Sequence, residues 1–182
     1  MRSFDAERFA ELVLYISKKT EGDPDFGRTK LAKVLFYSDF TAYGEDGDSL
    51  TGATYEKWPH GPFPRELPAT EQRLAGAMRA RVERLERLEP RGEFDPNRLF
   101  ALAEPDKALF EGWELYLVDT WISRIAKATA QRISDLSHDH PGWILVGEKE
   151  AIPYHSHFTS RRTPSRRDLA RGEELALEHG WP

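Results

Sequence analysis

The stretch from Thr29 to Leu67 constrains the fold more than any other part of the chain. From Leu31 to Tyr43 it is apolar almost all the way round a helix. Leu31, Val34, Leu35 and Ser38 follow the three-to-four spacing of one face, and Phe36, Tyr37, Phe40 and Tyr43 cover much of the rest. A helix that is apolar on several sides has to be surrounded by other elements. Its few polar groups therefore matter, above all Asp39. The period then changes. Ala53-Thr54-Tyr55-Glu56-Lys57-Trp58 alternates like a strand, and Pro59-His60-Gly61-Pro62-Phe63-Pro64 reads as a rigid turn that stops it. Thr29 is the expected N-cap of the central helix, and the acidic loop Gly44–Ser49 its expected end.

The other segments supply elements to pack around this centre. Phe9, Leu12, Val13 and Ile16 predict an amphipathic helix over residues 4–19, with Ser3 or Asp5 as its cap. Glu21–Asp25 is a breaker cluster. Leu67, Glu71, Leu74 and Met78 line up as a third helix reaching about Ala80. Turn signals at Pro90-Arg91-Gly92 separate two short apolar runs and predict a hairpin, with a strand near 84–89 paired to 98–103. A long helix is expected from Pro105 to about residue 127, then a shorter one capped by Thr129 and broken at Pro141-Gly142. Trp143–Val146 reads as a further helical turn, Ala151–Tyr154 as extended, and Ser165–Leu177 as a weak final helix. The expected fold is mostly α (α+β): a compact helical domain around a central buried helix, with a small antiparallel β-hairpin element. Residues 1–158 form one domain in this reading, and residues 159–182 a basic C-terminal tail.

Composition removes several function classes. The 182 residues include no cysteine, which excludes disulfides, thiol catalysis and Cys-ligated metal centres. The first residues carry acids and lack the apolar run of a signal peptide. No window approaches the roughly 18 apolar residues of a membrane span, so a cytoplasmic location and no membrane partner are expected. The formal net charge of −5 gives no general attraction to nucleic acid. Neither a helix-turn-helix with a basic second helix nor a GxxxxGKS/T, GxGxxG or GxSxG motif occurs.

Four features invite a chemical reading. The first is histidine: His138, Asp139 and His140 lie in one cluster, His155 and His157 in another. Brought together, they have the donor types of a zinc site that activates water, making a metal-dependent hydrolase the alternative function. Against this, HxH spacing sets two rings about 200° apart on a helix. The second is Asp39, a carboxylate among apolar and aromatic residues. It is either a general acid/base or a structural pin, and Tyr37, Tyr55, Lys33 and His138 are its available partners. The third is the Pro/Gly turn, where Trp58 and Phe63 are either anchors for a partner or part of the core. The fourth is the basic block, in which Arg161, Arg162, Arg166 and Arg167 are candidate anion ligands or a solvated tail.

Several segments taken in order resemble a known family. Leu31–Phe40 resembles the KLxKLLYxADF helix of the Panacea domain, the SocA-like antitoxin family. Leu50-Thr51-Gly52-Ala53-Thr54-Tyr55 resembles its ITGxxY, and His60-Gly61-Pro62-Phe63-Pro64 its YGPVP. Leu136-Ser137-His138 followed by Trp143 is similar to its LSH…W segment, and Ala151–Tyr154 to its xIPY ending. The order and spacing agree over most of residues 5–158, with His60 in place of Tyr and Ser38 in place of Ala. The resemblance implies a prokaryotic or phage antitoxin, not an enzyme, whose partner is a cognate toxin protein bound directly. It further implies a role as adaptor to a ClpXP-type protease, and no cofactor or metal. Tyr37, Asp39, Gly52, Tyr55, Gly61, Pro62, His138 and Trp143 are the matched family positions, expected to serve the scaffold.

Overall fold

A computed structural model describes residues 2–84, 97–159 and 165–180. Helix α1 spans Ala6–Lys19. Asp5 caps it, accepting the backbone N–H groups of Glu7 and Arg8 at 3.0 Å each. Its Phe9, Leu12, Val13 and Ile16 are fully buried, the face that the periodicity marks out.

Helix α2, Arg28–Asp46, is the centre of the molecule and packs against α1 and most of the elements that follow. Nearly every residue from Thr29 to Phe40 is buried. The N-cap is Gly27 rather than Thr29, and Thr29 is buried inside the first turn. The helix runs through Gly44 and ends at Gly47, whose φ of 78° is the left-handed stop that glycine adopts without strain. Within the helix Gly44 gives the His157 ring room to lie against it: an added Cβ there meets Nε2 at 2.4 Å.

Strands β1 (Tyr55–Trp58) and β2 (Gly61–Pro64) pair antiparallel, with Tyr55 opposite Pro64 and Trp58 opposite Gly61. The expected rigid turn is thus shorter, and its Gly61–Pro64 half is a strand. Proline fits there for a physical reason. Lys57 and Tyr55 direct their backbone groups away from β2, to Glu150 O and Ile152 N. Pro62 and Pro64 stand opposite those two residues, where the ladder asks for no N–H.

Helix α3 covers Leu67–Gly76 and stops short of the expected Ala80. Met78 has a positive φ of 54° and is 82% exposed, so it does not extend the buried stripe. Strands β3 (Ala80–Arg84) and β4 (Asn97–Ala101) form a second antiparallel pair. The hairpin exists, but its first strand starts earlier than expected, and residues 85–89 lie outside the described residues.

A 3₁₀ turn at Lys107–Leu109 precedes α4, Gly112–Ala126, which starts later than Pro105 because Glu111 and Glu114 form a capping box there. Tyr37 of α2 stacks on Trp121 of α4 at 4.5 Å, and Trp121 donates to Thr41 at 3.1 Å. Thr129 caps α5 (Ala130–His138), as expected, and Pro141 both ends α5 and opens the short α6, Pro141–Leu145. Ala151 bridges to Glu56, a 3₁₀ helix covers Tyr154–Phe158, and α7 spans Arg166–His179 with no buried residue. Among the described residues no helix is long and apolar enough to cross a membrane. The fold is mostly α with a little β.

Candidate partner-binding groove

Two buried ionisable groups on α2 organise what lies beside it. Asp39 is sealed. Its carboxylate accepts Thr51 N at 2.9 Å, Thr51 Oγ1 at 2.6 Å and the Tyr55 hydroxyl at 2.7 Å, and the Tyr154 hydroxyl lies 3.5 Å away. Burial pushes its pKa up to about 6 against those hydrogen bonds. Of the partners expected for it, only Tyr55 is used. Lys33 and Tyr37 leave α2 on other faces, and His138 stacks on Trp143 at 4.2 Å. Thr51 and Tyr154 take their places. The cluster joins α2, the chain entering β1 and the Tyr154 turn. Gly52 belongs to the same join: its φ is 71°, and a Cβ there runs into Ser3 O at 2.5 Å. Asp39 therefore pins elements together, and it does not line the groove beside α2.

Lys33 lies at the wall of an open groove. The groove, of about 450 Å³, runs between the first turns of α2, the β1–β2 hairpin and the start of α3. Thr29 and Ala32 line its α2 side, Trp58, Pro59 and Phe63 its hairpin side, and Pro68 the end near α3. The Trp58 and Phe63 rings lie 5.7 Å apart. Trp58 is 40% exposed and Phe63 half-buried, so they form a wall of the groove and not the core. The Arg28 guanidinium lies over Phe63 at 5.6 Å, and Lys149 over Trp58 at 5.8 Å. Trp143 supports the hairpin from behind, donating to Trp58 O at 3.3 Å, with the Lys57 ammonium 4.2 Å from its ring.

Gly61 closes the floor. Its φ is 92°, and a Cβ there meets Ser137 Oγ at 2.0 Å and Lys33 Cε at 2.9 Å. Only glycine lets β2 settle onto α2 and α5 at this point. Lys33 Nζ then donates to the Pro62 carbonyl at 2.8 Å, and burial brings its pKa down to about 7.

The histidine clusters do not assemble a metal centre. Among the described residues no group of three or more His, Asp or Glu side chains is placed to hold a metal ion. His140 packs edge-on against Phe36 and Phe40 at 5.0 and 5.3 Å, and its Nδ1 accepts Gly142 N at 3.2 Å as the cap of α6. Burial pushes its pKa down to about 4, with a smaller push from His157. His138 is turned toward Trp143, while Asp139 and His155 are exposed. The hydrolase alternative has no support in this arrangement. Arg161 and Arg162 lie outside the described residues. Arg166 and Arg167 are exposed on the first turn of α7 and do not line the groove.

The scaffold is mostly helical and presents an aromatic groove beside a rigid hairpin. The particular family is shown by comparison: the chain belongs to the SocA-like antitoxins, since the family model described as Antitoxin SocA-like, Panacea domain, matches residues 31–144. Membership points to a toxin–antitoxin role. No curated protein and no solved structure matches the chain.

Proposed function

We propose that the protein is a prokaryotic or phage antitoxin that neutralises a cognate toxin by direct, non-catalytic binding in the cytoplasm. The observation that carries this is the family match over residues 31–144, which includes every element that lines the groove except the start of α2. In this reading residues 1–158 are the antitoxin domain and residues 159–182 an accessory basic tail. Asp39, Gly52, Tyr55, Gly61, Pro62, Tyr37, His138 and Trp143 hold the scaffold, and Trp58 and Phe63 are the anchors that meet the toxin. Aromatic side chains in a concave, partly desolvated setting are the residue types that dominate interfaces. Delivery of the toxin to a ClpXP-type protease is a separate step, readable as protease-dependent loss of the toxin.

Co-expression with the toxin encoded beside the gene, followed by co-purification, tests the reading. Growth is restored and the two proteins purify together. Trp58→Ala and Phe63→Ala each weaken that complex by roughly thirtyfold, about 2 kcal/mol, while circular dichroism shows the helical fold retained. A harmless neighbouring gene product, or a complex indifferent to both substitutions, removes the assignment of the toxin or of the groove respectively.

A further inference from the structure

Lys33 is a buried amine that makes one hydrogen bond among the described residues. The residue is 1% exposed, yet it lines the groove. An ammonium has three N–H donors, and among the described residues one of them is used, toward the Pro62 carbonyl. No carboxylate faces it. Glu56, on the groove rim, receives Trp58 Nε1 at 3.2 Å and lies 4.0 Å from Arg65. Glu71 is taken by Arg28, whose Nε reaches it at 3.1 Å. Lys33 acts electrostatically on His138 of α5, as does His60 of the hairpin. A buried cation without a counter-ion is destabilising in the isolated chain. The other charged side chains lining the groove are the cations Arg28 and Arg65 and the carboxylate of Glu56, already engaged with Trp58 and Arg65, so charge complementarity calls for an anion from outside.

We propose that the groove is a receptor for an acidic anchor: a partner carboxylate enters between Trp58, Phe63 and Ala32 and pairs with the Lys33 ammonium, while an apolar or aromatic group beside it fills the groove. The proposal rests on the reading of this groove as the toxin-facing surface and names the chemistry of what the toxin inserts. The Pro62 carbonyl holds Nζ in place, and the missing Gly61 side chain leaves it room. The aromatic walls shield the new pair from water, where a charge-assisted hydrogen bond is stronger than a neutral one.

The test needs no toxin, so its outcome is separate from that of the antitoxin assignment. The full chain is titrated with 3-phenylpropionate and with its neutral isostere 3-phenylpropanamide, and binding is followed by calorimetry and by the signal of [¹³Cε]lysine. The acid binds about tenfold or more tightly than the amide. Saturation with the acid moves the Lys33 titration upward from about 7 toward the ordinary lysine range. In Lys33→Met the acid's advantage disappears while the amide still binds. Equal affinity for acid and amide, an acid preference that survives Lys33→Met, or no binding of either probe at about 10 mM overturns the proposal. If Lys33→Met does not fold, the acid-to-amide ratio and the Lys33 titration in the wild-type chain decide alone.

Discussion

Asp39 and Lys33 sit six positions apart on one helix, both are almost completely buried, and they are treated in opposite ways. Six positions turn a helix by about 240°, so the two side chains leave α2 on different faces. Asp39 meets three good donors from Thr51 and Tyr55 and is closed off. Lys33 meets one carbonyl and borders a groove. A buried polar group with its hydrogen bonds made is part of the framework. One left short at the wall of a cavity is poised for something that is absent from the free chain. Burial alone therefore does not separate a sealed group from one at a groove wall in this molecule; the count of satisfied partners does.

The largest effect expected from breaking this contrast is at Asp39. Asp39→Ala strands Thr51 N, Thr51 Oγ1 and the Tyr55 hydroxyl, and destabilises by roughly 3 kcal/mol or more in denaturant unfolding. The pH dependence has a definite sign. The folded-state pKa is about 6 against 3.8 for the free side chain. Between those values the folded protein binds more protons than the unfolded chain. Asp39 therefore makes stability fall as pH rises from about 4 to about 6. Asp39→Asn flattens that slope, and a slope unchanged in Asp39→Asn would show that the carboxylate is not the titrating group.

Gly61→Ala comes next. It combines a φ of 92° with contacts to Ser137 Oγ and Lys33 that leave no room for a methyl group. A loss of about 2–3 kcal/mol is expected, with β2 displaced from α2. Because the floor of the groove then opens, Gly61→Ala also weakens phenylpropionate binding, whereas Gly22→Ala, with open space around it, leaves both properties alone. Equal effects at the two glycines would undo the assignment of Gly61 to the groove floor.

Most of the helical framework was legible in the sequence because it obeys one rule, apolar residues at helical spacing between recognisable caps. The rule worked for α1, with Asp5, and for α5, with Thr129. It failed where a different local preference won. Thr29 looked like the cap of α2, but Gly27 starts the helix and Thr29 is drawn into the groove wall. The prolines of β2 read as a turn because proline is rare in ladders, and only the register shows them facing positions that need no donor. Part of Asp39's shell was visible in the same stretch as Tyr55, while Tyr154, 115 residues away, was not. In the sequence Lys33 stands out only as a partner for Asp39. The six-residue offset already set the two on different faces, but that signal says nothing of the groove, which needs the hairpin, Gly61 and α5 in place together.

The smallest effect, and the sharpest for the comparison, is at Lys33. Replacing a buried amine that makes a single hydrogen bond by an apolar chain of similar length removes a desolvation penalty and one bond. Lys33→Met is therefore expected to be neutral or to stabilise by about 1 kcal/mol, opposite in sign to Asp39→Ala. The pH signature is opposite as well. The Lys33 pKa falls from 10.5 to about 7 on folding. Between pH 7 and 10.5 the unfolded chain binds more protons than the folded one, so Lys33 makes stability rise with pH across that window. Thermal melts of the wild type and Lys33→Met from pH 7 to 10 separate the cases: the wild type gains on the variant as pH rises, and the two curves converge near the top of the range. If Lys33→Met instead loses stability at every pH by as much as Asp39→Ala, then Lys33 is a second pin, the two faces of α2 are alike, and the groove has no charge waiting for a partner.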